Sequence, residues 1–224
     1  MIHYLAAIYY RSIILINDLL NAPIYKKIKE KYQAIQLGKK HNYVSGSNVY
    51  LGKYLNEKVI IKGFDIFKLY ENEINILNIL NDSGFVPRLL KVSKKYFVEE
   101  YVDGQPFDKY LEENEVDDNI LKQIIEYLDY LYSYKILHRD IRPENIIVSQ
   151  GSIKVIDYGC AIRTDIDNFK FPSRVEKTVG EKYRSHEYWD DASSFYNILK
   201  SYVEDDNEFL LEIKKREKRL IYER

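Results

Sequence analysis

Leu137-His138-Arg139-Asp140-Ile141-Arg142-Pro143-Glu144-Asn145-Ile146-Ile147-Val148, followed closely by Val155-Ile156-Asp157-Tyr158-Gly159, is the stretch whose reading decides the fold. It sets a carboxylate, Asp140, in a loop with a carboxamide, Asn145, five residues on. A second carboxylate, Asp157, then follows a short apolar strand predicted over Ile153 to Ile156. Asn145 and Asp157 together offer the all-oxygen donors that hard Mg²⁺ prefers. Asp140, outside that pair, is placed to take a proton from an attacking hydroxyl.

The order of these elements resembles the catalytic loop H-R-D-x-x-x-x-N and the metal-binding D-F-G of the protein-kinase-like superfamily. The resemblance implies an α+β, bilobal protein-kinase-like fold with a β-rich N-lobe and a helical C-lobe. It also implies ATP and Mg²⁺ as cofactors. On the positions quoted, Asp140 becomes the residue that orients and deprotonates the acceptor, and Asn145 and Asp157 become the metal ligands. Tyr158 stands for the Phe of D-F-G. Arg139 becomes the cation that in the family often pairs with a phosphorylated activation segment. His138 is read as a structural residue packed beneath the loops. Arg142 stands where Ser/Thr kinases usually carry Lys, and still brings a cation toward the γ-phosphate, although the two side chains differ in geometry.

Composition agrees with a packed chain. The 224 residues are 46% hydrophobic and 31% charged, enough for one large domain or two small lobes rather than disorder. A net charge of −1 argues against nucleic-acid binding by overall charge. The single cysteine, Cys160, excludes an internal disulfide and a cysteine zinc site, and fits a reducing, cytoplasmic compartment.

Working back from the quoted stretch, Asp118 to Tyr134 is predicted as an amphipathic helix with Asp117 or Asp118 as its N-cap, and Phe107 to Glu113 as a short one. Val86–Leu90 and Tyr96–Val102 read as strands, the second running into the turn-rich link Asp103-Gly104-Gln105-Pro106. By the resemblance that link is the hinge, and the backbone from Glu100 to Val102 faces the adenine edge. Glu99 falls at the gatekeeper position, where the family mostly has an apolar side chain. Either the register is one residue off or the pocket wall is polar. Phe67–Leu80 has helical apolar spacing. Glu73 on it matches the glutamate that pairs with the strand lysine, and Glu71 is the competing candidate. Lys58-Val59-Ile60-Ile61-Lys62 is a strand resembling V-A-I-K, which makes Lys62 the lysine on the α- and β-phosphates.

Before it, strands predicted at 42–44 and from Val49 to Tyr54 are joined by Ser45-Gly46-Ser47-Asn48, a small-residue turn whose N–H groups can approach phosphates. Gly46, Ser47 and Val49 are its nucleotide-side candidates, with only Gly46 left of the family's glycines in the turn. The domain boundaries expected are residues 1–40 as a helical extension, 41–102 as N-lobe and 103–224 as C-lobe. Residues 2–20 are the most apolar segment, and the lysines from Lys26 to Lys40 follow. A helix packed on the body is one reading. An in-plane membrane helix beside anionic lipid is the other.

Beyond Gly159, Gly180 to Glu187 resembles the end of an activation segment but is one residue short. Thr164, Ser173, Thr178 and Tyr183 are candidate phosphorylation positions. Asp191 begins a helix and is expected to brace the catalytic loop. The C-lobe reads as shortened, as in minimal kinase-fold enzymes acting on glycans or lipopolysaccharide. The expected acceptor is a Ser/Thr hydroxyl on protein. A sugar hydroxyl on a glycan and a pseudokinase that binds without catalysis are the alternatives.

Overall fold

A computed structural model describes residues 22–39, 47–64, 67–166, 182–183 and 188–223. The expectations for residues 2–20, the strand at 42–44, Gly46 and Ser185-His186-Glu187 lie outside them. By packing, the chain divides into two compact units, Met1–Ile74 with Arg88–Tyr101 and Asn75–Pro87 with Val102–Arg224.

The first unit is a five-stranded antiparallel sheet with helices. Helix α1 covers 22–32, followed by β1 (Ile35–Lys39), β2 (Ser47–Tyr54), β3 (Glu57–Phe64), α2 (Phe67–Leu80), β4 (Leu89–Val92) and β5 (Tyr96–Glu100). The sheet order is β1-β2-β3-β5-β4. Its two faces separate core from chemistry because side chains alternate along each strand. Tyr50, Val59, Ile61 and Val98 share one face and pack with Ile28 and Tyr32 of α1. The apolar residues of α1, Ile24, Tyr25, Ile28 and Tyr32, form one stripe toward that face, and Lys26, Lys27, Lys29 and Lys31 point outward. Gly52 is required where α1 ends, since a Cβ there would stand 2.7 Å from Ile61 Cδ1 and 3.0 Å from the Tyr32 carbonyl oxygen.

Within the expected helical extension, Ile35 to Lys39 form strand β1 and pair with β2. Its apolar residues hide it in the sequence: Ile35 is 71% and Leu37 56% exposed, so the chain shows no inward apolar alternation. Ser47 and Asn48, expected in the turn, are already in β2. The strand expected at Val86–Leu90 starts later, at Leu89. Pro87 has no N–H for a ladder, and the carbonyls of Phe85 and Val86 are taken by the Val155 N–H (2.8 Å) and Lys154 Nζ (3.2 Å). Those bonds are why Asn75–Pro87 belongs to the second unit.

The second unit begins with β6 (Gln105–Pro106), α3 (Phe107–Glu113) and α4 (Asp118–Ser133). The N-cap of α4 is Asp117, whose carboxylate accepts from Ile120 N–H at 2.8 Å. The buried stripe of α4 runs through Ile120, Ile124, Tyr127, Leu128 and Leu131. The chain continues through β7 (Ile136–Leu137), β8 (Ile146–Ser149), β9 (Ser152–Val155), β10 (Ile162–Arg163), β11 (Tyr188–Trp189), α5 (Asp191–Leu199), α6 (Glu208–Lys214) and β12 (Tyr222–Glu223). Helices α5 and α6 pack on each other and on α4. Among the described residues no helix is long and apolar enough to cross a membrane.

Candidate active site

The stretch from Leu137 to Gly159 lies between short strand pairs. β7 pairs antiparallel with β10, and β8 with β9. The loop between β7 and β8 therefore carries His138 to Asn145, and the loop between β9 and β10 carries Asp157 to Cys160. The β8–β9 hairpin fixes both. Its turn residues Gln150 and Gly151 have φ of 50° and 74°, the positive values a tight two-residue hairpin needs. Helix α4 holds that turn: Asn119 and Gln123 amides donate to the Gly151 carbonyl at 2.9 and 2.8 Å. Gln123 Oε1 also accepts from Ile153 N–H at 3.0 Å. At the open end, Ile156 N–H donates to the Asn145 carbonyl at 2.8 Å, so Asp157 leaves the hairpin beside Asn145.

Asn145, 3% exposed, turns its Nδ2 toward Asp140, donating to its main-chain oxygen at 3.0 Å and to Oδ2 at 3.1 Å. Its amide oxygen is then the end directed away from Asp140. Asp157 sits in the left-handed region (φ 71°, ψ 64°), a conformation that costs energy outside glycine and recurs where a loop re-aims a side chain. The Asn145 and Asp157 oxygens form a hard donor set that fits a Mg²⁺ ion.

His138 is fully buried. Its Nδ1 accepts from Asp140 N–H at 3.2 Å and its Nε2 faces the Ile156 carbonyl at 3.0 Å. A neutral imidazole with its proton on Nε2 satisfies both. It ties the two loops together. Its ring meets the edge of Tyr158 at 4.5 Å, and the Tyr158 hydroxyl lies 3.0 Å from that of Tyr127 on α4. Tyr158 thus fills the Phe position with an added hydrogen bond. Burial raises Tyr127 well above the ordinary phenol range.

Asp191, buried at the start of α5, accepts from the main-chain N–H groups of His138 (2.6 Å) and Arg139 (3.0 Å). It braces the loop as expected. Desolvation pushes its carboxyl up to about 7, against the two hydrogen bonds that favour the ionised form. Arg139 follows His138, Asp191's other partner in the loop. It is 2% exposed, with its guanidinium 4.3 Å from the Trp189 ring centre and 5.4 Å from that of Tyr222. The pairing of β11 with β12 sets Trp189 opposite Tyr222 and so builds this aromatic cover. Arg142 stands beside Glu144, with Nε 3.4 Å from Oε2, an ion pair not aligned as a hydrogen bond.

In the first unit, Lys62 leaves β3 on the face opposite the α1 core. Its Nζ lies 2.7 Å from Glu73 Oε1 on α2 and 3.4 Å from Glu99 Oε1 on β5. Glu73, not Glu71, is therefore the helix residue on the lysine. Val49 is the cross-strand neighbour of Lys62 on β2, and Ser47 opens that strand. Glu100 ends β5 and bonds Arg88 twice: its N–H donates to the Arg88 carbonyl, and its side-chain Oε2 accepts from Arg88 N–H at 3.1 Å. β5 stops there, and Tyr101 and Val102 lie outside the ladder. Among the candidates, Lys62, Glu73 and Val49 are assembled in one unit, and Asp140, Asn145 and Asp157 in the other.

A family model described as "Protein kinase domain" matches residues 26–194, well over half of the chain. The chain belongs to the protein kinase family. Among curated proteins, this kinase chain is 34% identical over 148 residues to the serine/threonine-protein kinase TIO of Arabidopsis thaliana, covering 59% of the chain and 11% of that protein. It is 30% identical over 134 residues to serine/threonine-protein kinase 1 of African swine fever virus, covering 54% and 44%. It is 31% identical over 157 residues to the probable serine/threonine-protein kinase PknB of Lactococcus lactis, covering 61% and 23%. The chain thus spans less than half the length of these relatives.

Sequence reasoning did not reach the contact of Glu99 with Lys62, the cover over Arg139, or the amides of α4 that hold the β8–β9 turn. A glutamate inside the apolar run Phe97-Val98-Glu99 was the one visible signal. The others depend on pairings between distant segments.

Proposed function

We propose that this kinase domain transfers the γ-phosphoryl group of ATP to a Ser or Thr hydroxyl of a protein. The observation that carries the reading is the Asp140–Asn145 pair, a carboxylate held at its Oδ2 by a carboxamide whose own oxygen is turned away. Phosphoryl transfer asks little covalent chemistry of a protein and much positioning of charge. Asp140 lines up the acceptor hydroxyl and takes its proton as the oxygen attacks. Asn145 fixes the carboxylate's orientation, and His138 and Asp191 fix the loop backbone beneath it. Lys62, steadied by Glu73, holds the α- and β-phosphates, and Val49 with the main chain from Glu100 to Val102 receives the base. Arg142 adds a cation near the transferred group. Asn145 and Asp157 would hold Mg²⁺, which when bound would neutralise phosphate charge. The Ser/Thr acceptor draws support from the names of the relatives.

The test uses γ-labelled ATP, Mg²⁺ and host lysate, with products split into protein and glycolipid fractions. The expected result is label on Ser or Thr of protein that falls by orders of magnitude in Asp140→Asn, with ATP binding retained. Equal turnover in the variant removes the assignment of Asp140. Label confined to glycolipid transfers the acceptor to a sugar hydroxyl.

A further inference from the structure

The register of the first sheet places Lys62 opposite Phe97 and Ile60 opposite Glu99. Lys62 and Glu99 are therefore diagonal neighbours on one face, within reach of long side chains. Lys62, Glu73 and Glu99 are 6%, 1% and 3% exposed, so one ammonium stands within ion-pair distance of two buried carboxylates. An ammonium has three N–H donors and no way to add a fourth. Glu73 takes one at 2.7 Å, the length of a strong charge-assisted bond. The second carboxylate, at 3.4 Å, comes from a rigid strand rather than from a helix. In the function proposed above, a polyphosphate must use the same ammonium, which stands 3.4 Å from the Glu99 carboxylate. Burial makes charges at this separation felt more strongly than in water.

We propose that Glu99 is a positioning residue that draws the Lys62 ammonium toward β5 and selects cation-complexed nucleotide over the free polyanion. The inference rests on Lys62 being the phosphate-side lysine. Its effect grows with ligand charge: none on adenosine, moderate on Mg-ATP, largest on ATP without metal. The contact lies within the sheet, between β3 and β5.

The experiment measures equilibrium binding of adenosine, Mg-ATP and ATP in EDTA to the wild type, Glu99→Gln, Glu99→Leu and Lys62→Ala, with melting temperatures for each. Glu99→Gln is expected to tighten metal-free ATP on the order of tenfold, Mg-ATP by less, and adenosine not at all, since one unit charge a few ångströms away is removed. Glu99→Leu should follow the same ladder, because charge and not hydrogen bonding is at issue. A variant that fails to fold cannot gain affinity, so a gain is diagnostic. Unchanged or weaker ATP binding with a lowered melting temperature makes Glu99 merely structural and overturns the proposal. Equal tightening of adenosine also overturns it. ATP binding that is lost in Lys62→Ala but indifferent to Glu99 removes only this inference. Absence of nucleotide binding in every protein, the wild type included, removes the proposed function and this inference with it.

Discussion

Asp191 presents one carboxylate to two main-chain N–H groups from a fully buried position, and desolvation outweighs those bonds in setting its affinity for protons. Folded, it keeps its proton up to about pH 7, and unfolded it releases it near 3.8. Between these values the native state binds more protons, so the stability this group contributes is full below pH 3.8, falls as pH rises, and is lost above 7. Asp191→Asn sets an amide N–H against one of the two backbone donors, at a cost of about 1–3 kcal/mol, and removes the titration. The gap between wild type and variant, read by urea unfolding, should be widest at the acid end and narrow steadily from pH 5 to pH 8. A constant gap across that range would contradict the linkage. Asp140, Asn145 and Asp157 were legible in the sequence because a short loop and a tight hairpin bring them together, and such local spacing survives folding. The partners of Lys62 were only half legible: Glu73 follows from helix position, but the Glu99 contact arises from strand pairing, which spacing along the chain does not reveal.

The link Asp103-Gly104 meets the β8–β9 hairpin closely. The Ser149 hydroxyl donates to the Asp103 carbonyl at 2.7 Å, and a Cβ on Gly104 would come within 2.5 Å of the Val148 carbonyl oxygen and 2.7 Å of Ile147 Cγ2. Backbone on the far side of the contact cannot yield as a flexible side chain would. Gly104→Ala should therefore displace β6 from β8 and destabilise the domain by about 1–3 kcal/mol in thermal unfolding. An unchanged melting temperature would show that the link moves freely. At this scale the helices were read well. Phe67–Leu80 and Phe107–Glu113 have the bounds their periodicity predicts, and α4 ends one residue early. Strands were read less well, because two-residue pairs such as β7 with β10 carry no period, and β1 turns its apolar side chains outward.

At the scale of the whole chain, a linear reading put boundaries after residues 40 and 102. The packing boundary falls inside α2 and returns at Arg88, since Phe85 and Val86 hydrogen-bond to the β9 segment and the Phe85 ring packs on Tyr127 and Tyr130. The segment following α6 is tied in similarly: Arg216 grips Asp129 of α4 with two bonds of 3.0 and 2.7 Å, and Lys218 N–H donates to Asp190 at 2.6 Å. It is this anchoring that delivers Tyr222 to the cover over Arg139. Trp189, 2% exposed, is the only tryptophan in the chain. Its indole touches both the catalytic-loop arginine and the last described strand, so excitation selective for tryptophan interrogates a single place in the molecule. Its emission should be blue-shifted and shielded from acrylamide in the wild type. Tyr222→Ala should move it to the red and open it to quenching before any global unfolding is seen, and an unmoved spectrum would mean that the strand adds no shelter. The protein thus carries its own optical gauge of whether the end of the chain is seated behind the catalytic loop.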